Sequence, residues 1–84
     1  LDYLAQEAER ALRRGDLPAA ARAWSALLSQ RPHDCRTREL LLEARLEMGD
    51  RGGARRLIRD GLEHAVRSGD RTAALACYRM ATQH

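Results

Sequence analysis

The pair Gly-Asp recurs three times, at Gly15-Asp16, Gly49-Asp50 and Gly69-Asp70. Glycine tolerates the left-handed backbone that ends a helix, and aspartate accepts hydrogen bonds from the free N–H groups that open the next. Each pair therefore reads as a compact stop-and-start signal between two helices. Five residues after each glycine stands a small residue, Ala20, Ala54 or Ala74, and four further on a large one, Trp24, Ile58 or Tyr78. Gly15 and Gly49 are 34 residues apart, the length of one helix–turn–helix repeat, whereas Gly69 follows Gly49 after only 20. Three similar turns are expected, the last belonging to an irregular unit.

Between the turns the apolar residues keep helical spacing. The first segment carries Leu1, Leu4, Ala5, Ala8 and Leu12, and the second Leu17, Ala20, Ala21, Trp24, Leu27 and Leu28. Arg31-Pro32 breaks the second helix, and Asp34 is placed to cap a third carrying Leu41, Ala44 and Met48. A fourth begins after Asp50 and carries Ala54, Leu57, Ile58, Gly61, Leu62, Ala65 and Val66 on one stripe. A fifth, from Arg71 to Gln83, carries Ala74, Cys77, Tyr78 and Ala81, with Trp24 and Tyr78 both assigned to the core. No segment alternates with period two, so the fold class is all-α, with about five helices.

In order and spacing, Leu12, Gly15, Asp16, Ala20, Trp24, Leu27 and Pro32 resemble the consensus of the tetratricopeptide repeat family. The resemblance divides residues 1–84 into a first repeat (1–34), a degenerate second repeat (35–68) with Gly61 at a small-residue position and no closing proline, and a half repeat or capping helix (69–84). It implies antiparallel hairpins stacked as a right-handed α-solenoid, with alanines at close helix crossings. It also implies a protein-binding role, the first helices of successive repeats lining a concave groove for an extended peptide or a partner helix. Gln6, Glu9 and Arg13 would face that groove from the first helix, and Arg36, Glu39, Leu40, Glu43 and Glu47 from the third. The family's carboxylate clamp uses Lys and Asn where this chain has Ala5, Glu9, Glu39 and Leu40, so that variant is rejected. A partner segment with basic residues and an apolar anchor for Leu40 fits better; the alternative takes these side chains as merely solvated charges.

Charge supports neither a membrane nor a strongly nucleic-acid-directed role. Fifteen basic residues, all Arg, face 12 acidic ones for a net +3. They interleave through Glu7, Glu9, Arg10 and Arg13, and again through Arg36, Arg38, Glu39, Glu43, Arg45 and Glu47, the pattern of solvated helix faces. Arg51, Arg55, Arg56 and Arg59 are the best candidates for phosphate contact, but no aromatic stacking platform accompanies them. The resemblance to helical-repeat domains, some of which occur within bacterial transcriptional regulators, implies a regulatory domain of such a regulator as the second functional reading, and the incomplete repeat number suggests a solenoid cap or self-association module as the third. No apolar run approaches the ~20 residues of a membrane span. A start at Leu1 without a leader pattern suggests a fragment of a longer chain. Two cysteines are too few for a disulfide scaffold and point to a reducing, cytoplasmic compartment, with a periplasmic one left open.

Catalytic chemistry finds no frame. His33, His64, His84, Cys35, Cys77, Ser25 and Ser29 form no known constellation, and His33 with Cys35 lacks the further ligands of a zinc pattern. Ser25 and Ser29 lack the glycine frame of a nucleophile elbow. Gly52-Gly53 lacks the strand and Lys-Ser/Thr of a phosphate loop, and reads as the turn that opens a helix. The expectation is a binding module without enzyme activity, cofactor or metal.

Overall fold

The computed structural model describes residues 2–83; Leu1 and His84, both named above, lie outside the described residues. The described chain forms five helices and no strand: α1 (Asp2–Arg13), α2 (Leu17–Gln30), α3 (Cys35–Glu47), α4 (Arg51–Ser68) and α5 (Arg71–Gln83). Each helix packs on its neighbours in sequence, and α5 also reaches back to α3. The body is thin, 37 × 27 × 15 Å, so every helix keeps an open face.

The three Gly-Asp turns are built alike. Gly15, Gly49 and Gly69 have φ of 74°, 80° and 68°, the left-handed region where a Cβ is costly. The following aspartate N–H reaches back to close the ending helix: Asp16 donates to the Ala11 carbonyl at 2.8 Å, Asp50 to Arg45 at 2.8 Å and Asp70 to Ala65 at 2.9 Å. Its carboxylate then opens the next helix by accepting from the N–H three residues on, of Ala19, Gly53 or Ala73. One dipeptide thus satisfies groups left free at both helix ends. The Gly-less turn works differently: Asp34 accepts from both the N–H and the hydroxyl of Thr37, 3.2 and 2.9 Å away. Asp50 caps directly, so α4 begins at Arg51, immediately after Asp50 as expected, and Gly52 and Gly53, read as the turn that opens the helix, lie inside its first turn.

The core gathers Ala8, Ala11, Ala20, Ala21, Trp24, Leu28, Leu41, Leu42, Ala44, Ala54, Leu57 and Met80. Alanine dominates where helices cross: Ala8 and Ala20 are wholly buried, as is Leu42, which the sequence reading passed over. Ala at such positions lets helices approach closely, and Trp24 fills the remaining space.

Several apolar residues assigned to buried stripes are exposed instead. In α1 the buried line runs through Ala8 and Ala11, which turns Leu12 outward. Met48 follows the last residue of α3 and is exposed. In α4 the buried line is Gly53, Ala54, Leu57, Gly61 and Ala65, leaving Leu62 at the edge and Val66 outside. In α5 it is Ala73, Cys77 and Met80, so Ala74 is only half-buried and Tyr78 is 63% exposed. The shared cause is that a thin bundle covers only a narrow strip of each helix, less than the ~100° apolar stripe its sequence presents.

Arg38 departs furthest from the sequence reading. Placed among solvated charges, it is 5% exposed. Its Nη1 donates to the Leu57 carbonyl at 2.9 Å and its Nη2 to the Pro32 carbonyl at 3.1 Å, tying the α2–α3 turn to α4. Space for the guanidinium comes from Gly61, where a Cβ would sit 2.7 Å from Arg38 Cδ and Nε. The glycine read as a weak match to a repeat position is a slot for a buried cation.

Candidate functional site

Two i, i+4 rows run side by side along α4. Ala54, Ile58, Leu62 and Val66 form an apolar row, and Arg51, Arg55 and Arg59 form a basic row beside it. A groove of about 800 Å³ opens over both rows as far as Leu62, with Val66 beyond its lining. Its apolar floor comes from Ala54, Ile58 and Leu62 of α4 with Leu42 and Leu46 of α3, its rim from Arg51, Arg55 and Arg59, and its far side from Ala81 and Gln83 of α5. Neither Arg51 nor Arg55 has a carboxylate within 4.0 Å among the described residues, and Arg59 makes only a long 3.9 Å contact with Asp60. The groove therefore offers a greasy floor and positive charges that the fold leaves largely uncompensated.

The eight residues expected to line a concave face stand on α1 and α3. Gln6, Glu9, Arg13, Arg36, Glu43 and Glu47 are exposed, Glu39 and Leu40 half-buried. Leu40 rests against the core, so it offers only part of its side chain. Arg36 pairs with Glu39 at 2.8 Å on the open surface of α3, a contact that neutralises one charge from each sign. Arg36 and Glu39 also border a cavity of about 290 Å³ between α3 and α5, with Cys35, Ala76, Arg79 and Met80. The helices α1 and α3 share no direct backbone contact among their described residues; each packs on α2.

A second, more polar cavity of about 440 Å³ lies between α2, α3 and α4. Ser25, Ser29, Arg38, Arg45, Arg56, Asp50 and Asp60 reach it. Most of these groups already have structural work. Arg38 is bound as described, Arg45 donates to the Gly53 carbonyl at 3.1 Å, Asp50 caps α4, and the Ser29 hydroxyl donates to the Ala26 carbonyl at 3.0 Å.

The cysteines differ in surroundings. Cys77 is 1% exposed and Cys35 half-buried, and both are free thiols. Burial pushes the Cys77 thiol above its ordinary value; the Arg38 charge partly opposes this and Cys35 adds to the rise. Its burial places it in the core, and a raised thiol carries less of the reactive thiolate near neutral pH.

His33, in the α2–α3 turn, and His64, on α4, meet at the surface with 3.2 Å between His33 Nδ1 and His64 Nε2. Nothing in the sequence announced this pair, since 31 residues separate them. Among the described residues no group of three or more His, Cys, Asp and Glu side chains converges on one point, and no helix is long and apolar enough to cross a membrane. Compared with known proteins, the chain matches no family model, no curated protein and no solved structure.

Proposed function

We propose that this domain is a protein-interaction module of the tetratricopeptide-like kind, and that the α3–α4–α5 groove receives an amphipathic segment of a partner protein carrying acidic residues. The observation that carries this reading is the parallel pair of rows on α4. An apolar row with an exposed end at Leu62 and Val66 suits the hydrophobic face of a helix, and Arg51, Arg55 and Arg59 suit carboxylates beside that face. Guanidinium groups form forked hydrogen bonds to carboxylates, which adds orientation to attraction.

The repeat-like, right-handed stacking is part of the same proposal. It is supported by three turns of one hydrogen-bond design, by 34-residue spacing of the first two, and by burial of Ala20 and Ala54 at matching positions, 0% and 3% exposed. The mixed-to-acidic face of α1 and α3, with Glu9, Glu43 and Glu47 exposed, is a separate surface suited to a basic segment.

The test is capture from a lysate of the source organism by the intact domain, beside Leu62→Asp and the double reversal Arg55→Glu with Arg59→Glu. These positions are exposed, so the variants keep their helical content. Loss of an acidic partner with both variants, by about tenfold or more in affinity, supports the groove. Loss only when Glu39 and Glu43 are reversed to Lys moves the site to the α1–α3 face. Recovery of nucleic acid with a steep salt dependence assigns the Arg row to phosphates and overturns the reading. Self-association detected by sedimentation makes a second copy the groove's occupant.

A further inference from the structure

We propose that His33 and His64 form a two-imidazole site for a divalent transition-metal ion of the imidazole-preferring class, such as Zn²⁺, Ni²⁺ or Cu²⁺. Neither histidine lines the interaction groove. An ion bonded to two imidazole nitrogens at 2.0–2.1 Å holds them about 2.9 Å apart at a right angle and about 3.3 Å apart at the tetrahedral angle. His33 Nδ1 and His64 Nε2 are 3.2 Å apart, inside that interval. The rings are tilted by 53° with centroids 4.6 Å apart, so they do not stack face to face, and chelation requires each ring to turn its facing nitrogen from its neighbour toward a shared ion.

The backbone under both ligands is already held. His64 sits within α4, and the turn that carries His33 is fixed on one side by Arg38, bonded to the Pro32 carbonyl, and on the other by the Asp34 cap. The same Arg38 bonds the Leu57 carbonyl of α4, so the two ligand-bearing segments are tied together before any ion arrives. Such preorganisation lowers the cost of chelation. Without metal, one of the two facing nitrogens carries a proton and donates it to the other. On binding, that proton moves through solvent to the outer nitrogen of its own ring, and the ion takes its place between two neutral imidazoles. His33 is exposed and His64 half-buried, which leaves the remaining coordination positions to water. An open site of this kind exchanges its ion, and when loaded it adds a link from the α2–α3 turn to α4.

The test is titration of the metal-free chain with Zn²⁺ by calorimetry, with Co²⁺ as a spectroscopic substitute. The variants are His33→Asn, His64→Gln, Cys35→Ser and His84→Ala. One ion per chain is expected, with a melting temperature that rises with Zn²⁺ concentration. His33→Asn and His64→Gln should each weaken binding roughly 10–100-fold and abolish that rise, because either change removes the chelate. Cys35→Ser and His84→Ala should leave it unchanged. Circular dichroism establishes that the histidine variants fold. The proposal is overturned if either histidine variant keeps full affinity, if a thiolate charge-transfer band of bound Co²⁺ disappears with Cys35→Ser, or if the intact chain takes up no Zn²⁺ at millimolar concentration.

Discussion

Trp24 and Tyr78 stand nine residues after the glycine of their respective Gly-Asp turns, in helices opened by the same hydrogen-bond arrangement. Trp24 is 5% exposed and Tyr78 is 63% exposed. Between them Ile58, at the same position in α4, is half-buried. The local backbone is nearly the same at the first and third turns, yet the fate of the large side chain differs. The α2 helix lies between α1 and α3, whereas α5 packs on α4 and touches α3 only in part, leaving one flank uncovered. A turn sets where a helix starts and which way its residues point. Whether a side chain pointing there is buried depends on a neighbour that the turn does not encode.

The largest test of that difference is truncation of the two aromatics. Trp24→Ala should cost about 3–5 kcal/mol in urea-melt stability, and Tyr78→Ala about 0.5 kcal/mol or less, since one opens a cavity and the other trims an open surface. Equal costs for the two would mean that Tyr78 is covered in solution, and would break the contrast.

Gly61→Ala comes next and probes whether packing overrides local preference. Alanine favours a helix over glycine by ~1 kcal/mol, but here its Cβ would meet Arg38, whose guanidinium cannot move without losing its two carbonyl partners. The expected net result is a loss of roughly 1–2 kcal/mol, measured by denaturant melts. A double-mutant cycle with Arg38→Ala should show strong coupling, and simple additivity would separate the two residues.

The turns themselves give a smaller and sharper comparison. Asp16→Ala and Asp70→Ala should each cost about 1 kcal/mol, with similar values, because the caps are alike although their helices are buried differently. A markedly smaller loss at Asp70 would show that the last helix is held by less than its cap geometry suggests.

The smallest effect concerns Cys77. Folding raises its thiol above the ordinary value, so the unfolded chain gives up the proton first as pH rises. Its contribution is fully present below the unfolded thiol's range and is lost as pH climbs toward the raised folded one. Stability measured at mildly and strongly alkaline pH should therefore fall more steeply for the natural chain than for Cys77→Ala. Parallel slopes would show that burial of this thiol is not linked to pH.

Part of the candidate groove was visible in the residues, although Leu62 and Val66 were assigned to a buried stripe. Arg55 and Arg59 share a face by spacing alone, and Ile58, Leu62 and Val66 do too, but an apolar row at helical period reads equally as core or as open surface. Only the position of α3 and α5 shows that the row passes from Ala54, 3% exposed, to Val66, 67% exposed, along a single helix. Arg38 was less legible still. It lies between Arg36 and Glu39, which pair with each other at the surface, and no local pattern distinguishes a solvated arginine from a buried one.

The sequence by itself determined the five helices and the breaks between them, because Gly-Asp, Asp34 and Pro32 act on backbone groups within five residues of themselves and need no distant partner. The arrangement in space decided everything that depends on residues far apart in the chain: that Gly61 houses Arg38, that Leu62 borders a groove while Tyr78 faces water, and that His33 meets His64. Those outcomes follow from which helix faces come together, and a thin body of five helices leaves each face covered by at most a few neighbours. Helix formation is a short-range hydrogen-bonding matter, whereas burial and juxtaposition are set by long-range packing.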